Sequence, residues 1–348
     1  MNNVSKMKVV TLLAPEKLAF SEADIPFPKP GEVLVKVERI GVCGSDPTIY
    51  FGLHPYVKYP VIMGHEFSGT VAAFGAGVDG PAPGTRVTVI PHLICGECGP
   101  CKNEIYNFCQ QLRCTGAEAD GAHREYIAMP KEMVLPIPDS MSLDDAAMVE
   151  PASVAYHAAK RGEITEKDTA LIIGVGPIGN FCMQSVKALG AQRVFIADLD
   201  AERLELASAL GADGIINVSE RSLEEGLASL CGGHMNVDVF YDCVGEKGQV
   251  FNDILRLARR GARVVIAGVL QNAYDIPLLP DFVQHELRLS GTTMYTPADY
   301  RDMIRLMGDK IIRTEGMISH YFDFERTIDV FKNIAARQLK HFKIMLRI

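Results

Sequence analysis

Alternating apolar and polar residues mark the first part of the chain. In Glu32–Glu38 the valines at 33, 35 and 37 fall on one face of a period-two pattern, as in a half-buried strand. A second pattern of this kind runs through Gly69–Ala73, and Gly84–Ile90 reads as a turn followed by a strand. Glycine and proline are frequent here, and long helical periods are scarce. This part is therefore predicted to be a β-rich domain.

The pattern changes after Glu150-Pro151, where short apolar stretches begin to alternate with helical ones. Helical periods cover residues 178–189 and 201–210, and they lie between stretches typical of buried strands. Strands separated by helices in this way predict a doubly wound parallel sheet of six strands. The candidate strands are Ala170–Gly174, Arg193–Ala197, Ile215–Asn217, Val237–Asp242, Arg263–Ala267 and Glu286–Ser290.

Two helical patterns follow, near residues 298–307 and 325–337, and then one more strand pattern at Phe342–Ile348. A completed six-stranded sheet has no place for this last strand. We therefore expect it to return to the first domain.

The composition is that of a globular enzyme. The chain has 348 residues, enough for two domains, with 48% hydrophobic and 22% charged residues. A formal net charge of −8 and the lack of a basic run argue against nucleic acid or an anionic membrane as a partner. The apolar stretch Val9–Ala14 is too short for a signal-peptide core, and no run of about 18 apolar residues occurs. We therefore predict a cytoplasmic protein whose nine cysteines stay reduced, which favours metal binding over disulfides.

A glycine-rich motif joins the first of the six candidate strands to a helix. It reads G-x-G-x-x-G, with Gly174 allowing the turn, Gly176 the approach of a pyrophosphate, and Gly179 close packing of helix and strand. Pro177 and Ile178 begin the helix, whose N-terminus attracts phosphate. The predicted cofactor residues are Gly174, Gly176, Pro177, Ile178, Gly179, Asp198, Arg203, Val244 and Gly268. The alternative is a glycine-rich turn that binds nothing.

Asp198 ends the next candidate strand, where a carboxylate can accept hydrogen bonds from both ribose hydroxyls and repel a 2′-phosphate. Asp200 adds to that repulsion, so NAD is favoured over NADP. Arg203 is the one nearby cation that argues for NADP.

Four cysteines, Cys95, Cys98, Cys101 and Cys109, form the pattern C-x2-C-x2-C-x7-C. Four thiolates at this spacing can close a tetrahedral zinc site, and such a site is structural because no ligand position stays open. An iron–sulfur cluster and unrelated free thiols are the alternatives. The remaining cysteines outside the motifs are expected to be core or unliganded residues: Cys114, Cys182, Cys231 and Cys243.

Two further motifs are Gly41-Val42-Cys43-Gly44-Ser45-Asp46 and Gly64-His65-Glu66-Phe67-Ser68-Gly69, the latter continuing to Gly75 and Val78. With these motifs the chain resembles the zinc-dependent medium-chain dehydrogenases, because the second one fits their G-H-E-x2-G-x5-G-x2-V signature and the cysteine lobe falls where that family places it. The resemblance covers nearly the whole chain and is closest to the polyol, galactitol-phosphate and sugar-acid branch.

The resemblance implies an α/β protein with a GroES-like β domain and a Rossmann domain built on the six-stranded sheet. The GroES-like domain would cover residues 1–152 and 292–348, with the structural-zinc lobe at 91–112, and the Rossmann NAD-binding domain residues 153–291. It also implies two zinc ions per chain and a homodimer or homotetramer.

The resemblance further implies roles for five residues. Cys43 and His65 would be ligands of a catalytic zinc, and Glu150 would bind it directly or through water. Glu66 matches an acid that can exchange onto the metal. Ser45 matches the hydroxyl that binds the substrate oxygen and starts a proton relay. The zinc would lower the pKa of the bound alcohol, whose alkoxide could release hydride to the nicotinamide.

The chain departs from the family pattern at several positions. Thr48 stands where many relatives have a relay histidine, so either Thr48 with water or His54 would replace it. Met294 stands where sorbitol-dehydrogenase relatives carry an arginine, which puts plain sorbitol in doubt. His123 and Arg124 replace small or apolar residues, and they either bind a carboxylate or phosphate of the substrate or are solvated surface charges.

Three functions follow as hypotheses. The first is NAD-dependent oxidation of a secondary alcohol on a polyol, sugar acid or sugar phosphate, which is favoured because Val87–Cys101 is similar to galactitol-phosphate and sugar-acid dehydrogenases. The second is a threonine-type amino-alcohol dehydrogenase, weakened by Thr48. The third is a non-catalytic cofactor-binding relative, although such proteins usually lose the ligands that this chain keeps.

Overall fold

The computed structural model describes residues 5–233, 236–245, 249–268 and 279–348. The chain divides into two compact units. The first comprises Met1–Glu150, Thr296–Asp309 and Thr314–Ile348, and the second Pro151–Tyr295 and Lys310–Arg313. The domain boundaries predicted from the sequence, at residues 152/153 and 291/292, stay a prediction.

The first unit consists mainly of strands, as the alternating pattern predicts. Its helices are α1 (Asp46–Tyr50), α2 (Gly99–Lys102), the first half of α3 (Leu143–Arg161), α9 (Pro297–Gly308) and α10 (Thr327–Ala335). Its strands are β1 (Lys6–Ala14), β2 (Lys17–Asp24), β3 (Glu32–Val42), β4 (Val61–Ile62), β5 (Glu66–Phe74), β6 (Arg86–Val89), β7 (His92–Leu93), β8 (Arg113–Cys114), β9 (Tyr126–Pro130), β10 (Val134–Pro136), β17 (Ile318–Asp323) and β18 (Lys343–Arg347).

The largest sheet of this unit has the order β10-β6-β5-β3-β18-β17, and β9 also pairs with β3. The valines at 33, 35 and 37 of β3 are buried, which confirms the predicted face. Strand β18 pairs antiparallel with β3, Ile344 opposite Val42. The expected return of the last strand to the first domain is therefore confirmed.

Several elements of the first unit were not predicted from the sequence, among them the strands β9, β10 and β17. Two further omissions have a clear reason. One is the β1–β2 hairpin, and the other is the 19-residue helix α3, which contains Pro151. The change of pattern at Pro151 was interpreted as a boundary, but the helix continues through this proline.

The second unit contains the predicted doubly wound sheet. All its strands are parallel, in the order β13-β12-β11-β14-β15-β16, so the strand order reverses beside β11. The strands are β11 (Thr169–Ile173), β12 (Arg193–Asp198), β13 (Gly214–Asn217), β14 (Val239–Asp242), β15 (Arg263–Ile266) and β16 (Arg288–Gly291). The helices are α4 (Pro177–Ala188), α5 (Ala201–Ala209), α6 (Leu223–Leu230), α7 (Gln249–Leu257) and α8 (Leu279–Gln284).

Helix starts in this unit follow from local sequence. Asp200 caps α5 by accepting from the N–H groups of Glu202 and Arg203, and Ser222 with Glu225 forms a capping box on α6. Within the described ranges no helix has the length and apolar character needed to cross a bilayer.

Candidate active site

The strands β3 and β5 bring three metal-binding side chains together. Cys43 directly follows β3, His65 directly precedes β5, and Glu66 begins β5, where it lies opposite Gly41 of β3. One ligand atom from each of Cys43, His65 and Glu66 lies within 4.8 Å of the other two. Gly41 is required at this point, because a Cβ there would collide with the carboxylate of Glu66. The sequence predicted these three residues together, and the pairing of two strands assembles them.

Asp46 supports this cluster from the first turn of α1. Its Oδ2 accepts a hydrogen bond from the N–H of Cys43 at 2.8 Å, and its Oδ1 lies 3.6 Å from Nδ1 of His65. A carboxylate behind a ligand histidine orients the imidazole and makes its other nitrogen a better donor to metal. Asp46 was not predicted as a site residue, although it lies in the quoted motif; its position three residues after Cys43 was the available signal.

The electrostatics of the cluster favour positive charge. Burial lowers the pKa of His65, but the Cys43 sulfur and then Asp46 raise it, and the net result lies well above the ordinary value. Burial raises the pKa of Asp46, which the charge on His65 opposes. A field that holds a proton on His65 also favours a metal cation at the same place.

A buried lysine from β18 contacts the third member of the cluster. Nζ of Lys343 lies 2.8 and 2.7 Å from the two carboxylate oxygens of Glu66, and it also donates to the carbonyl oxygen of Val42 at 3.2 Å. Lys343 is 2% exposed and Glu66 is fully buried. Sequence analysis did not identify Lys343, because a single lysine at the start of a strand has no distinguishing pattern.

These residues fit a catalytic zinc. Thiolate, imidazole and carboxylate are its ordinary ligands, and two or three of them leave a position open for a substrate. His65 Nδ1 and Asp46 Oδ1 have no hydrogen bond within the part of the chain that the structure describes. A cation bound at the other ring nitrogen of His65 would strengthen the attraction between these two atoms, which lie 3.6 Å apart, and would favour a hydrogen bond between them.

Glu150, predicted as a possible ligand, lies in α3 and is 7% exposed. It is not among the three side chains of the compact cluster. It is nonetheless close enough to contribute to the raised pKa of Cys114, after burial and against the opposing effect of His65. Cys114 thus lies near the candidate metal site, although it is not a member of the compact cluster. Zinc ligation by Glu150 stays a prediction.

The candidates for proton transfer lie on or next to α1. Ser45 is exposed at the N-terminal cap of this helix, and its side chain makes no capping hydrogen bond. Thr48 is half-buried one turn later. His54 lies in the following loop, where its Nδ1 accepts from the N–H of Tyr56 at 3.4 Å. Which of these groups moves a proton stays a prediction.

His123 is a buried residue, contrary to the surface interpretation. Its side chain is fully buried, packs edge-on against Phe331 with ring centroids 5.8 Å apart, and contacts Gly64, the residue before His65. Burial and then the charge on His65 lower the pKa of His123 to about 3. The imidazole is therefore neutral, and it presents no surface to a substrate carboxylate or phosphate. Arg124 is half-buried and donates to the carbonyl of Asp120 at 3.3 Å.

The four-cysteine lobe is compact and closed. Sγ atoms lie 3.8 Å apart for Cys95–Cys101, 3.4 Å for Cys98–Cys101 and 3.6 Å for Cys95–Cys109. A tetrahedron with Zn–S bonds of about 2.3 Å has edges of about 3.8 Å, so these sulfurs fit one zinc. The same four residues form the second group able to hold a metal among the described residues.

Backbone amides stabilise thiolates in this lobe. The N–H groups of Cys98 and Gln111 donate to Sγ of Cys95 and Cys109, each at 3.4 Å. Backbone donors, first from Gln110 and then from Cys101, lower the pKa of Cys98 to about 6. Burial and then the hydrogen bond with Cys98 raise the pKa of Cys101 to about 12, so without a cation the backbone donors favour the thiolate of Cys98 and not that of Cys101.

The glycine-rich motif adopts the geometry of a phosphate-binding turn. Gly174 follows β11 with φ of +86°, a conformation suited to glycine, and Gly176 caps α4, with Pro177 and Ile178 in its first turn. A Cβ on Gly179 would collide with the carbonyl oxygen of Gly174. The first N–H groups of an α-helix have no partner within the helix, so the start of α4 makes this turn suitable for a pyrophosphate.

The other predicted cofactor residues lie at the same carboxyl edge of the parallel sheet. Asp198 ends β12, and its carboxylate accepts hydrogen bonds from the N–H groups of Val175 and Asp200 at 2.7 and 2.9 Å. The Arg203 guanidinium lies near Gly176. Val244 and Gly268 follow β14 and β15, with the Val244 side chain against Gly174. Ligands of doubly wound folds bind at this edge, where the strand order reverses.

Two cysteines expected to be isolated form a pair beneath this turn. Cys182 of α4 is fully buried and hydrogen-bonds the thiol of Cys243, and burial followed by this hydrogen bond raises its pKa well above the ordinary value. Both are free thiols.

Two family models match the chain. The model described as an alcohol dehydrogenase GroES-like domain matches residues 29–139, and the model described as a zinc-binding dehydrogenase matches residues 177–309.

Curated relatives match over nearly the whole chain. The starvation-sensing protein RspB of Escherichia coli K12 is 33% identical, over 98% of this chain and 99% of that protein. The sorbitol dehydrogenase of Bacillus subtilis is also 33% identical, over 99% and 95% respectively. The D-arabitol-phosphate dehydrogenase of Enterococcus avium is 32% identical, over 94% of each chain.

Solved structures are similar in fold and length. A zinc-binding dehydrogenase of Sinorhizobium meliloti bound to NADP superimposes with a TM-score of 0.91 at 32% identity, covering 99% of this chain and 100% of that one. RspB of Escherichia coli CFT073 in complex with NADH gives 0.91 at 33% identity with the same coverage. Galactitol-1-phosphate dehydrogenase of Escherichia coli gives 0.90 at 29% identity, covering 98% and 100%.

Proposed function

The chain belongs to the zinc-binding dehydrogenase family, and we propose that it oxidises a secondary alcohol of a polyol, sugar acid or sugar phosphate to the ketone with NAD. The observation that carries this proposal is the compact cluster of Cys43, His65 and Glu66, backed by Asp46. A surface or purely structural role would not require a buried cluster of this composition beside an exposed hydroxyl such as Ser45.

Cys43 and His65 would hold the catalytic zinc, with Glu150 supplying a further ligand directly or through water. When bound, zinc supplies a Lewis acid for the substrate oxygen, and NAD accepts the hydride. Asp46 orients the imidazole of His65 from behind. Ser45 is exposed at the start of α1, two residues after Cys43. It would hydrogen-bond the substrate hydroxyl and pass the proton of that hydroxyl outward. The cysteine lobe would hold the second, structural zinc.

NAD is preferred over NADP in this proposal because of Asp198. Its carboxylate is fixed by two backbone N–H groups at the end of β12, where it can accept from the ribose hydroxyls and repel a 2′-phosphate. Asp200 is occupied with capping α5, so the repulsion rests mainly on Asp198. Arg203, close to Gly176, is better placed to attract a phosphate of the pyrophosphate.

The substrate class follows from the relatives, which act on sorbitol, D-arabitol phosphate and galactitol 1-phosphate according to their names. Met294 in place of the arginine of sorbitol-dehydrogenase relatives argues for a substrate other than plain sorbitol. A threonine-type amino-alcohol dehydrogenase is the second candidate, and Thr48 in place of the relay histidine argues against it. A non-catalytic relative is the third, and the retained cluster of Cys43, His65 and Glu66 argues against that.

A substrate panel tests the proposal. The purified protein is assayed for reduction of NAD and of NADP with polyols, aldonates, sugar phosphates and L-threonine, and its metal content is measured. We expect two zinc ions per chain and NAD reduction with at least one member of the first three classes. Turnover of L-threonine alone would reject the proposed substrate class, and no turnover with one zinc per chain would reject the enzyme. A cytoplasmic location and a homodimer or homotetramer complete the proposal.

A further inference from the structure

The buried ion pair of Lys343 and Glu66 lies beside the candidate metal cluster, and its contribution to stability does not explain why it is there. Both charges are removed from water, and burying an ion pair costs about as much as the pair gains. Replacing the two residues by apolar ones would therefore leave stability nearly unchanged. The pair adjoins the metal cluster, which suggests that it acts on the metal.

The geometry of Lys343 leaves Glu66 little freedom. The ammonium group is within 2.8 Å of both carboxylate oxygens, and the carbonyl oxygen of Val42 accepts a third hydrogen bond from it. Val42 immediately precedes the candidate ligand Cys43 and pairs with Ile344, so the lysine is anchored by the strand that presents that ligand. The Glu66 side chain also covers Gly41.

Glu66 can nevertheless bind the metal. One of its carboxylate oxygens lies within 4.8 Å of donor atoms from both Cys43 and His65. If that oxygen were free, it would join Cys43, His65 and the proposed ligand Glu150 as a fourth protein ligand, and a zinc site with four protein ligands is structural, not catalytic.

We propose that Lys343 is a positioning residue that holds the carboxylate of Glu66 off the catalytic metal, so that a coordination position stays open for the substrate. This inference rests on the proposed function. It assigns to a residue of β18, 277 positions from Glu66 along the chain, control over whether the metal site is open or closed.

The first experiment measures zinc release from the holoenzyme into a colorimetric chelator. In Lys343→Met the carboxylate of Glu66 loses its partner and binds the metal. We expect zinc to leave the catalytic site at least tenfold more slowly, and kcat to fall at least tenfold. Lys343→Arg, which can form a bidentate pair with Glu66, should restore both values toward wild type.

Two variants serve as controls. Lys343→Met combined with Glu66→Gln removes the carboxylate as well, and zinc release should return to the wild-type rate. Lys332→Met removes an exposed lysine of α10 and should change neither value. Zinc release at the wild-type rate or faster in Lys343→Met, or equal slowing in the double variant, would overturn the inference.

A second measurement stays decisive if Lys343→Met does not fold. The zinc is replaced by cobalt in the wild type and in Glu66→Gln, and the visible spectra are compared. Coincident spectra support a carboxylate held off the metal, whereas a changed ligand-field band in Glu66→Gln shows that Glu66 is already a ligand and overturns the inference. A wild type that lacks two zinc ions and reduces no NAD would instead contradict the proposed function.

Discussion

The two metal clusters of the first unit are built in opposite ways. The four-cysteine lobe takes all its ligands from one short segment, and backbone amides of the same segment stabilise its thiolates. The cluster proposed as catalytic, Cys43, His65 and Glu66, takes its residues from the ends of two strands, and three buried side chains from elsewhere in the unit surround it: Asp46, Lys343 and His123. The four cysteines of the lobe come together within one segment, whereas Cys43, His65 and Glu66 come together only when β3 pairs with β5.

The difference teaches what each cluster is suited for. Four thiolates would fill the coordination shell of a zinc ion in the lobe. No position would stay open for a substrate, so the metal would only stabilise the local chain. The catalytic cluster offers mixed ligands and uncompensated atoms, His65 Nδ1 and Asp46 Oδ1 among them. Buried polar atoms without partners make this cluster less stable than the lobe in the absence of a metal, and groups in such surroundings are typical of reactive sites. Four substitutions test this contrast.

The largest effect is expected from Cys43→Ser. Loss of a catalytic ligand should lower kcat/KM by about a thousandfold, which corresponds to several kcal/mol of transition-state stabilisation. Metal analysis should find one zinc per chain, that of the lobe, and circular dichroism should match the wild type. Cys231→Ser, at a cysteine outside both clusters, is the matched control. Unchanged activity and two zinc ions in Cys43→Ser would show that the catalytic cluster has been assigned wrongly.

Cys98→Ser should produce the opposite pattern. The variant loses a thiolate of the closed lobe, and the local free energy of order should fall by several kcal/mol. Limited proteolysis should then cut within residues 95–109, while the zinc at Cys43 and His65 is retained. Protease resistance equal to that of the wild type would count against a structural metal in the lobe.

A smaller effect is expected from Asp46→Asn. An amide keeps the shape of the side chain but loses the charge behind His65, and changes of this kind cost about 10- to 100-fold in metal affinity or activity. The affinity is measured by competition with a chelator of known strength. Asp79→Asn, at an exposed loop aspartate, is the control. The lobe has no comparable carboxylate in its cluster, so its zinc should be unaffected; equal affinities in both variants would remove Asp46 from the site.

His123→Phe should be the mildest change, and it should stabilise the protein. The two ring nitrogens have no partner among the described residues, and removing a buried unsatisfied group gains about 1–3 kcal/mol.

The gain should depend on pH. The pKa of His123 is lowered to about 3 by burial and by His65, whereas the unfolded chain titrates near 6.5. The unfolded state therefore binds the extra proton, and the wild type loses stability as the pH falls below about 6.5. The advantage of His123→Phe should be larger by about 1.4 kcal/mol at pH 5.5 than at pH 7.5. A pH-independent advantage in urea unfolding would contradict the neutral, buried imidazole.

Much of the fold could be predicted because its signals are local. Period-two patterns predicted β3, β5, β6 and β18 of the large sheet, and the alternation of apolar and helical stretches predicted all six strands of the parallel sheet to within a few residues. The glycine motif identified the strand–helix turn at Gly174. Helix α3 was missed because a proline usually marks a helix boundary, whereas Pro151 lies inside this helix. The β1–β2 hairpin was missed because most residues of β2 are exposed and show little apolar alternation.

The catalytic cluster was predictable only in part. Cys43, His65 and Glu66 stand in motifs with fixed spacing, so sequence alone identified them. Lys343 has no such spacing, and its contact with Glu66 depends on the register of β18 against β3. The environment of His123 was misjudged for the same reason, because the burial of a polar side chain is decided by the packing of distant segments.

The pairing of β18 with β3 also fixes the order in which the first unit can be completed. The ribosome must make all of residues 151–295, which contain the whole six-stranded parallel sheet, after Glu66 and before Lys343. Until β18 is synthesised, the carboxylate of Glu66 lacks its Lys343 partner, and the segment Arg39–Val42 of β3 lacks the strand that pairs with it. A nascent chain therefore carries every candidate zinc ligand, from Cys43 to Glu150, before the lysine that pairs with Glu66 has been made.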